Sequence, residues 1–179
     1  MLRKTLIATA LLAAMGAASA TTYSWGSHDS TAESNLTYVS VFAFNDVYTF
    51  SLGTAEVASS SVVSLNLSPV YAISNGSYSL VMDNGATGPD VGDTLLGTWS
   101  FSGSTGSTSH SVSLAVGNYY YIVSGLATGA GDGAHNAGIY SIASTISPSV
   151  ITVPEPESYA LMLAGLGVVG FLAGRRRSA

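Results

Sequence analysis

An alternation of apolar and polar positions runs through the middle of this 179-residue chain. Alternation with a period of two places every second side chain on one face of a β-strand. The apolar faces predicted in this way are Val63, Leu65 and Leu67 in SVVSLNL, Tyr78, Leu80 and Met82 in YSLVMD, Leu95, Trp99 and Phe101 in LLGTWSF, and Val112, Leu114 and Val116 in SVSLAV. Turn residues separate such runs, as at Ser74-Asn75-Gly76 and Asp83-Asn84-Gly85. The pattern predicts an all-β fold, an antiparallel, jelly-roll-like β-sandwich of about 7–9 strands.

One strand departs from this pattern at an aspartate. In VFAFNDVYTFSL, strict alternation puts Asp46 on the same face as Phe44, Tyr48 and Phe50. Two structural explanations fit. The strand ends at Asn45-Asp46 and Asp46 caps backbone amides in a turn, or Asp46 is partly buried and accepts several hydrogen bonds. We expect a structural role for Asp46 rather than a catalytic one.

Positive charge is confined to the two ends of the chain. All five basic residues are Arg3, Lys4 and Arg175 to Arg177, and all ten Asp and Glu lie between these ends. The first 20 residues combine the Arg3-Lys4 pair, an apolar run and the small-residue site Ala18-Ser19-Ala20. This order is typical of a secretory signal peptide. It predicts export, with signal peptidase cleaving after Ala20, and an exported domain over residues 21–150.

The C-terminal region has the features of a membrane anchor. Residues 158–174 are uncharged and apolar, and 17 residues of helix span about 25 Å, the short limit for crossing a bilayer. The basic cluster Arg175, Arg176 and Arg177 begins a tail, residues 175–179, that should stay cytoplasmic. A linker over residues 151–157 precedes the predicted transmembrane helix and contains Pro154, Glu155 and Pro156.

These C-terminal parts, in this order, resemble the PEP-CTERM sorting signal. The resemblance covers Pro154-Glu155-Pro156, the short apolar span and the final arginine cluster. It implies recognition by an exosortase, removal of the tail near the Pro-Glu-Pro motif, and a transient anchor in the inner membrane. It further implies delivery to the cell surface or extracellular matrix, in association with exopolysaccharide or biofilm.

The stretch around Asp46 resembles the FxDxF subgroup of PEP-CTERM proteins. Phe44 and Asp46 match that motif, and Tyr48 stands where the second Phe is expected, an exchange that keeps an aromatic ring and adds a hydroxyl. The later segments GNYYYIVSGLATG and IYSIAST also resemble the small β-sandwiches of the bacterial pre-peptidase C-terminal type. Neither resemblance implies an enzymatic activity.

The residues offer little support for catalysis. Cysteine is absent, and the three histidines, His28, His110 and His135, do not have zinc-ligand spacing. No Gly-x-Ser-x-Gly nucleophile elbow occurs. We therefore expect a protein that is not an enzyme and carries no cofactor. A nucleic-acid partner is excluded on charge, because residues 5–174 contain no Lys or Arg.

The alternative function is an adhesion module that binds calcium or carbohydrate at the cell surface. Weak metal-ligand candidates are the loop aspartates Asp83, Asp90, Asp93 and Asp132, although turn formation explains them better than calcium. Flat platforms for sugar stacking could come from Trp25, Trp99 and Tyr119 to Tyr121. Adjacent tyrosines on a strand point to opposite faces, so this pattern predicts that some of the three are exposed.

Overall fold

The computed structural model describes residues 19–85, 89–103, 108–133, 136–148 and 160–166. The chain divides into two units, Met1–Ser149 and Val150–Ala179. In the second unit, the described part is a helix, α1, over residues 160–166. The predicted motifs at residues 1–18, Pro154-Glu155-Pro156 and Arg175 to Arg177 lie outside the described residues, as does His135.

The described part of the first unit contains nine β-strands, in agreement with the predicted all-β class. The strands are β1 (Thr22–Ser27), β2 (Glu33–Val39), β3 (Ala43–Leu52), β4 (Glu56–Leu65), β5 (Ile73–Asp83), β6 (Thr94–Ser100), β7 (His110–Leu114), β8 (Gly117–Ala127) and β9 (Gly138–Pro148). They form a five-stranded sheet with the order β1-β3-β8-β5-β6 and a four-stranded sheet with the order β2-β9-β4-β7.

Strands β2 to β9 pair antiparallel, and their order in the two sheets is that of a jelly roll. Within this arrangement, β5 and β6 follow one another in the chain and pair as a hairpin. Strand β1 is an addition to this arrangement. It pairs with β3 in parallel, from Thr22 opposite Val47 to Ser27 opposite Ser51. The prediction of an antiparallel sandwich therefore holds for β2 to β9, and the parallel β1, which covers the outer side of β3, departs from it.

The core lies between the two sheets and is rich in tyrosine. Its most deeply buried large side chains, all on inward-facing positions, are Tyr48, Tyr78, Leu80, Tyr119, Tyr121, Val123, Tyr140 and Ile142. The hydroxyl groups of these tyrosines need partners when buried. Tyr48, Tyr78, Tyr121 and Tyr140 find partners in the facing sheet, whereas the Tyr119 hydroxyl donates to the Ala115 carbonyl between β7 and β8. For example, the Tyr78 hydroxyl donates to the Ser60 carbonyl of β4 at 3.1 Å.

Strand β4 presents the opposite face from the one predicted. Ser60, Val62 and Ser64 point into the core, whereas Leu65 and the following Leu67 are largely exposed. The physical reason is volume, because small inward residues leave space for the large tyrosine rings of the other sheet. Val63 and Leu65 line an apolar groove of about 210 Å³ on the outer face of the four-stranded sheet.

A β-bulge changes the register of β6. The pairing with β5 shifts so that Leu80 faces Gly97 while Val81 faces Leu95. The extra residue is Leu96, which packs against the core, whereas Leu95 is 62% exposed. Leu95 therefore does not share the inward face of Trp99, because a bulge reverses the alternation locally.

Two further expectations about strand boundaries are corrected. Ser74-Asn75-Gly76 is not a turn between strands, since β5 continues through it with an irregular register between Ser74 and Ser77 and a left-handed Asn75. Val116 lies beyond the end of β7 and is 60% exposed, so it does not join the buried Leu114. The expected turn after Asp83 is present, and Gly85 there has a positive φ.

Gly97 allows Trp99 to lie flat on its own strand, and this contact generates a stability prediction. A Cβ at Gly97 would lie 2.5 Å from two atoms of the Trp99 ring, so Gly97→Ala must displace that ring from its neighbours Tyr78 and His110. We expect a loss of about 1–3 kcal/mol in the free energy of unfolding, measured by urea denaturation followed by tryptophan fluorescence.

The matched control is Gly53→Ala, because a Cβ at Gly53 meets no atom within 4 Å. Equal stability of the two variants would show that the Trp99 ring is not held in this position.

Candidate functional site

The predicted motif strand is continuous, and its aspartate is buried. Strand β3 runs unbroken through Asn45 and Asp46, and Asp46 is only 3% exposed. Phe44 and Tyr48 share its inward face and are also buried. Of the two explanations that the sequence left open, the structure therefore supports the buried, hydrogen-bonded aspartate.

Asp46 accepts hydrogen bonds from the facing sheet and from the backbone that leads into β1. The Tyr140 hydroxyl of β9 donates to Oδ2 at 2.7 Å, and the Thr21 backbone N–H donates to Oδ1 at 3.0 Å. Tyr140 also lies 2.7 Å from the Tyr48 hydroxyl, which lies 2.8 Å from the Thr37 hydroxyl of β2. We call these five groups the Asp46 network.

The hydroxyl groups of the Asp46 network all donate their hydrogen bonds in the same direction, towards Asp46. Tyr140 has one hydroxyl proton, and it goes to Asp46, so Tyr48 must donate to Tyr140 and Thr37 to Tyr48. Burial raises the pKa of Tyr48 to about 12, and burial together with the Tyr48 and Asp46 contacts raises the pKa of Tyr140 well above its ordinary value. Both phenols therefore stay protonated, as donors, at neutral pH.

Aromatic stacking fixes the rings that carry these hydroxyls. Phe44 stacks on Tyr140 with centroids 5.3 Å apart, and Tyr23 of β1 stacks on Tyr48 with centroids 4.8 Å apart. The three motif residues Phe44, Asp46 and Tyr48 thus all contact Tyr140. A small cavity of about 80 Å³ borders the network and is lined by residues that include Asp46 and Thr37.

Tyr140, Thr37 and Thr21 are the members of this site that the sequence did not identify. Tyr140 lies 94 positions from Asp46, and Thr37 lies on a strand of the other sheet. The one signal available was an isolated tyrosine inside the apolar alternation of IYSIAST. That signal does not specify a partner.

The loop aspartates are engaged in organising the β5–β6 hairpin. Asp93 accepts from the backbone N–H groups of Asn84 and Asp90 and from the Tyr120 hydroxyl, at 3.0, 2.9 and 2.6 Å. The Tyr120 hydrogen bond is the main cause that lowers the pKa of Asp93. Asp83 accepts from the Gly85 N–H.

Within the described ranges, no group of three or more His, Asp or Glu side chains is placed to hold a metal ion. Asp132 lies in the β8–β9 loop.

The aromatic candidates for a sugar platform are mostly turned inward. Tyr119 and Tyr121 face the core, and Tyr120 points to the outer face, where the hairpin residue Asp93 covers its hydroxyl. All three tyrosines are at most 2% exposed, so the prediction of exposed members is wrong. Trp25 and Trp99 are partly buried and pack against the core.

His28, which follows β1, lies buried against Ser144 of β9. Its Nε2 is 3.0 Å from the Ser144 Oγ, and its Nδ1 is 3.2 Å from the Asp29 carbonyl oxygen. Because a carbonyl accepts only, Nδ1 carries the proton and Nε2 accepts from Ser144. A serine–histidine contact of this kind can activate a nucleophile, but Ser144 is fully buried and out of reach of a substrate. Burial lowers the pKa of His28, against the opposing charge of Glu33.

The C-terminal unit contributes helix α1 over residues 160–166, where Leu161, Met162, Leu163 and Leu166 are exposed. Among the helical residues that the structure describes, none forms a segment with the length and apolarity to cross a membrane. The predicted transmembrane helix over 158–174 extends beyond the described residues at both ends.

Comparison with known proteins identifies the C-terminal motif. Residues 152–177 match the family of the PEP-CTERM protein-sorting motif. This motif implies exosortase-dependent sorting to the cell surface. No curated protein matches the chain.

Two solved structures illustrate the distant similarity of the β domain. PliG, a periplasmic inhibitor of g-type lysozyme from Aeromonas hydrophila, is 15% identical, with a TM-score of 0.45 over 73% of this chain and 100% of that one. The pre-peptidase C-terminal domain of collagenase from Bacillus anthracis is 16% identical, with a TM-score of 0.42 over 70% of this chain and 94% of that one. At these values neither structure informs the function of this chain.

Removing one hydroxyl tests the Asp46 network. Tyr140→Phe keeps the ring that stacks on Phe44 but takes away one of the donors to Asp46 and the acceptor for Tyr48. We expect a loss of about 1.5–3 kcal/mol in the free energy of unfolding, the range for a hydrogen bond to a charged group, measured by urea denaturation. Tyr38→Phe, at a position 56% exposed, is the matched control. Equal losses would contradict the network.

Burial of neutral His28 predicts a pH dependence. Its pKa in the folded state lies below the ordinary value near 6.5, so the unfolded chain binds a proton that the folded chain does not. The stabilisation is fully present above about pH 6.5 and is lost as the pH falls below that value. We expect the free energy of unfolding to fall by at most about 1.4 kcal/mol per pH unit between roughly pH 6.5 and pH 5, where most carboxylates remain ionised.

His28→Gln should remove this part of the pH dependence. Parallel profiles for the wild type and His28→Gln between pH 5 and 6.5 would show that His28 is not the group responsible.

Proposed function

We propose that this chain is a non-enzymatic β-sandwich protein, exported through its N-terminal signal and sorted by an exosortase to the cell surface or extracellular matrix. The observation that carries the proposal is the match of residues 152–177 to the PEP-CTERM sorting motif. The basic residues at the two extremities and the acidic middle agree with the same route of export.

The proposed handling has three steps. Signal peptidase removes residues 1–20, the apolar segment 158–174 holds the chain in the inner membrane, and the exosortase then cleaves near Pro154-Glu155-Pro156. The two prolines favour extended backbone and lack amide donors, which suits a segment that must enter a protease cleft. The released domain then associates with exopolysaccharide or biofilm. We assign the Phe44-x-Asp46-x-Tyr48 stretch to the FxDxF subgroup.

The β domain supports this proposal through what its polar side chains do. Asp46 accepts hydrogen bonds within the core, Asp83 and Asp93 organise a hairpin, and the Ser144–His28 contact is buried. Each polar cluster described is thus used by the fold itself. We therefore propose a structural component of the surface rather than a catalyst, with its destination determined by the tail.

Expression with and without the exosortase tests the proposal. The full chain is produced in an exopolysaccharide-forming host and in the same host lacking its exosortase, and the mass and location of the product are measured. We expect loss of the tail near Pro156 and recovery of the domain in the matrix fraction in the first host alone. A chain that keeps its tail and its location in both hosts would contradict exosortase processing.

A proline pair makes the test specific to the motif. The double substitution Pro154→Ala with Pro156→Ala should cause the full-length, tail-bearing form to accumulate in the exosortase-containing host. Pro89→Ala, at an exposed proline of the β5–β6 loop, is the matched control and should be processed normally.

A further inference from the structure

The backbone nitrogen of Thr21 occupies a special position, because it lies at the predicted cleavage site and contacts the buried carboxylate. It is 3.0 Å from Asp46 Oδ1. Its place is determined by residues after it, since the Val47 N–H donates to the Thr21 carbonyl at 2.8 Å and Thr22 begins the parallel pairing with β3. The nitrogen therefore stays beside Asp46 when the residues before it are removed.

We propose that signal-peptide cleavage after Ala20 turns this hydrogen bond into an ion pair between the new α-ammonium of Thr21 and the Asp46 carboxylate, which fastens β1 to the mature domain. The inference rests on the export step of the proposed function. Hydrolysis breaks the Ala20–Thr21 peptide bond and adds the hydroxyl of water to the Ala20 carbonyl carbon. It leaves the Thr21 nitrogen as an amine, which takes up a proton at neutral pH.

The charge balance of the domain points to this partner. A buried carboxylate is costly unless it is paired and hydrogen-bonded. Residues 21–174 contain no Lys or Arg, so no ammonium or guanidinium side chain of the mature domain can neutralise Asp46. Tyr140 supplies a neutral donor, but the α-amino group is the one cation that processing itself creates next to the carboxylate.

The surroundings can accommodate an ammonium group. An amide at Thr21 has one N–H, whereas the ammonium has three and needs further acceptors. The cavity of about 80 Å³ beside Asp46 is lined by the hydroxyl-bearing residues Thr37 and Ser40 among others. A cavity of this size can hold water, so the additional N–H groups can be satisfied by hydroxyls or by a bridging water.

Cleavage exchanges one set of contacts for another. In the unprocessed chain, the Ser19 N–H donates to the Ala43 carbonyl at 3.0 Å and the Ser19 carbonyl accepts from the Asn45 N–H at 2.8 Å. Both bonds are lost with the leader. The new ion pair instead joins the first residue of the mature chain to an inward position of β3, where a charge-assisted hydrogen bond is stronger than a neutral one.

The composition of the chain offers a direct probe. Lys4 is the only lysine, and it is removed with the leader, so the α-amine of Thr21 becomes the only primary amine of the processed protein. The full chain is exported and processed in its host and purified, and its N-terminus is determined by mass. It is then treated at neutral pH with an amine-reactive N-hydroxysuccinimide ester, and labelling is followed by mass.

We expect the folded wild-type protein to be labelled at least about tenfold more slowly than Asp46→Asn, because pairing holds the amine protonated and half-enclosed. Asp29→Asn is the matched control and should react like the wild type. Asp29 is an exposed carboxylate near the same strand whose contact with the Thr31 N–H an asparagine oxygen can retain.

A second variant leaves Asp46 intact in case Asp46→Asn does not fold. A glycine inserted between Ala20 and Thr21 becomes the first residue after cleavage, so Thr21 again carries an amide and the charge moves one residue away. We expect this amine to be labelled rapidly and the Tm of the variant to fall by at least about 4 °C.

The outcomes separate the two proposals. Rapid labelling of a wild-type chain that begins at Thr21, with an unchanged Tm for the glycine insertion, overturns the ion pair and leaves export standing. A mature chain that begins at another residue also overturns the ion pair. Retention of residues 1–20 in the exporting host overturns the ion pair and the export step together.

Discussion

The structure is organised around one carboxylate buried between two sheets in a domain that has no Lys or Arg. Asp46 of β3 accepts from Tyr140 of β9 in the facing sheet and from the backbone that leads into β1. Through Tyr48 and Thr37 the same hydrogen-bond chain reaches β2. A buried polar network of this kind contributes little net stability but favours one arrangement of the strands over others, because every alternative leaves a polar group unpaired.

The tyrosine-rich core depends on the same principle on a larger scale. Cysteine is absent, so no disulfide supports the fold, and the rings of Tyr78, Tyr121 and Tyr140 supply much of the buried area. Each ring brings a hydroxyl that must be satisfied, and serines of the facing sheet provide the partners: the Ser60 carbonyl for Tyr78 and the Ser144 hydroxyl for Tyr121. Ser60 thus serves Tyr78 through its backbone carbonyl, and Ser144 serves Tyr121 through its side chain.

Linear features of the sequence were easier to interpret than three-dimensional ones. The all-β class followed from alternation alone, and the sorting motif is contiguous and therefore visible without a structure. Alternation failed where both faces of a strand carry aliphatic side chains, as on β4 around Val62 and Val63, and where a bulge inserts Leu96. The position of Asp46 on an apolar face was evident, but its partner is 94 residues away and belongs to the other sheet. Periodicity reports which way a side chain points and not what it meets there.

The direction of hydrogen bonding explains why this position carries aspartate and not asparagine. Thr37 donates a hydrogen bond to Tyr48, Tyr48 donates to Tyr140, and Tyr140 donates to residue 46. This series of hydrogen bonds must end on a group that only accepts. A carboxylate accepts at both oxygens, from Tyr140 on one side and from the Thr21 nitrogen on the other. An asparagine would turn an NH₂ group towards one of these two donors, placing donor against donor in a buried site. The network therefore requires a negative charge at its end, and that requirement gives the cleavage-generated ammonium a defined partner in the folded domain.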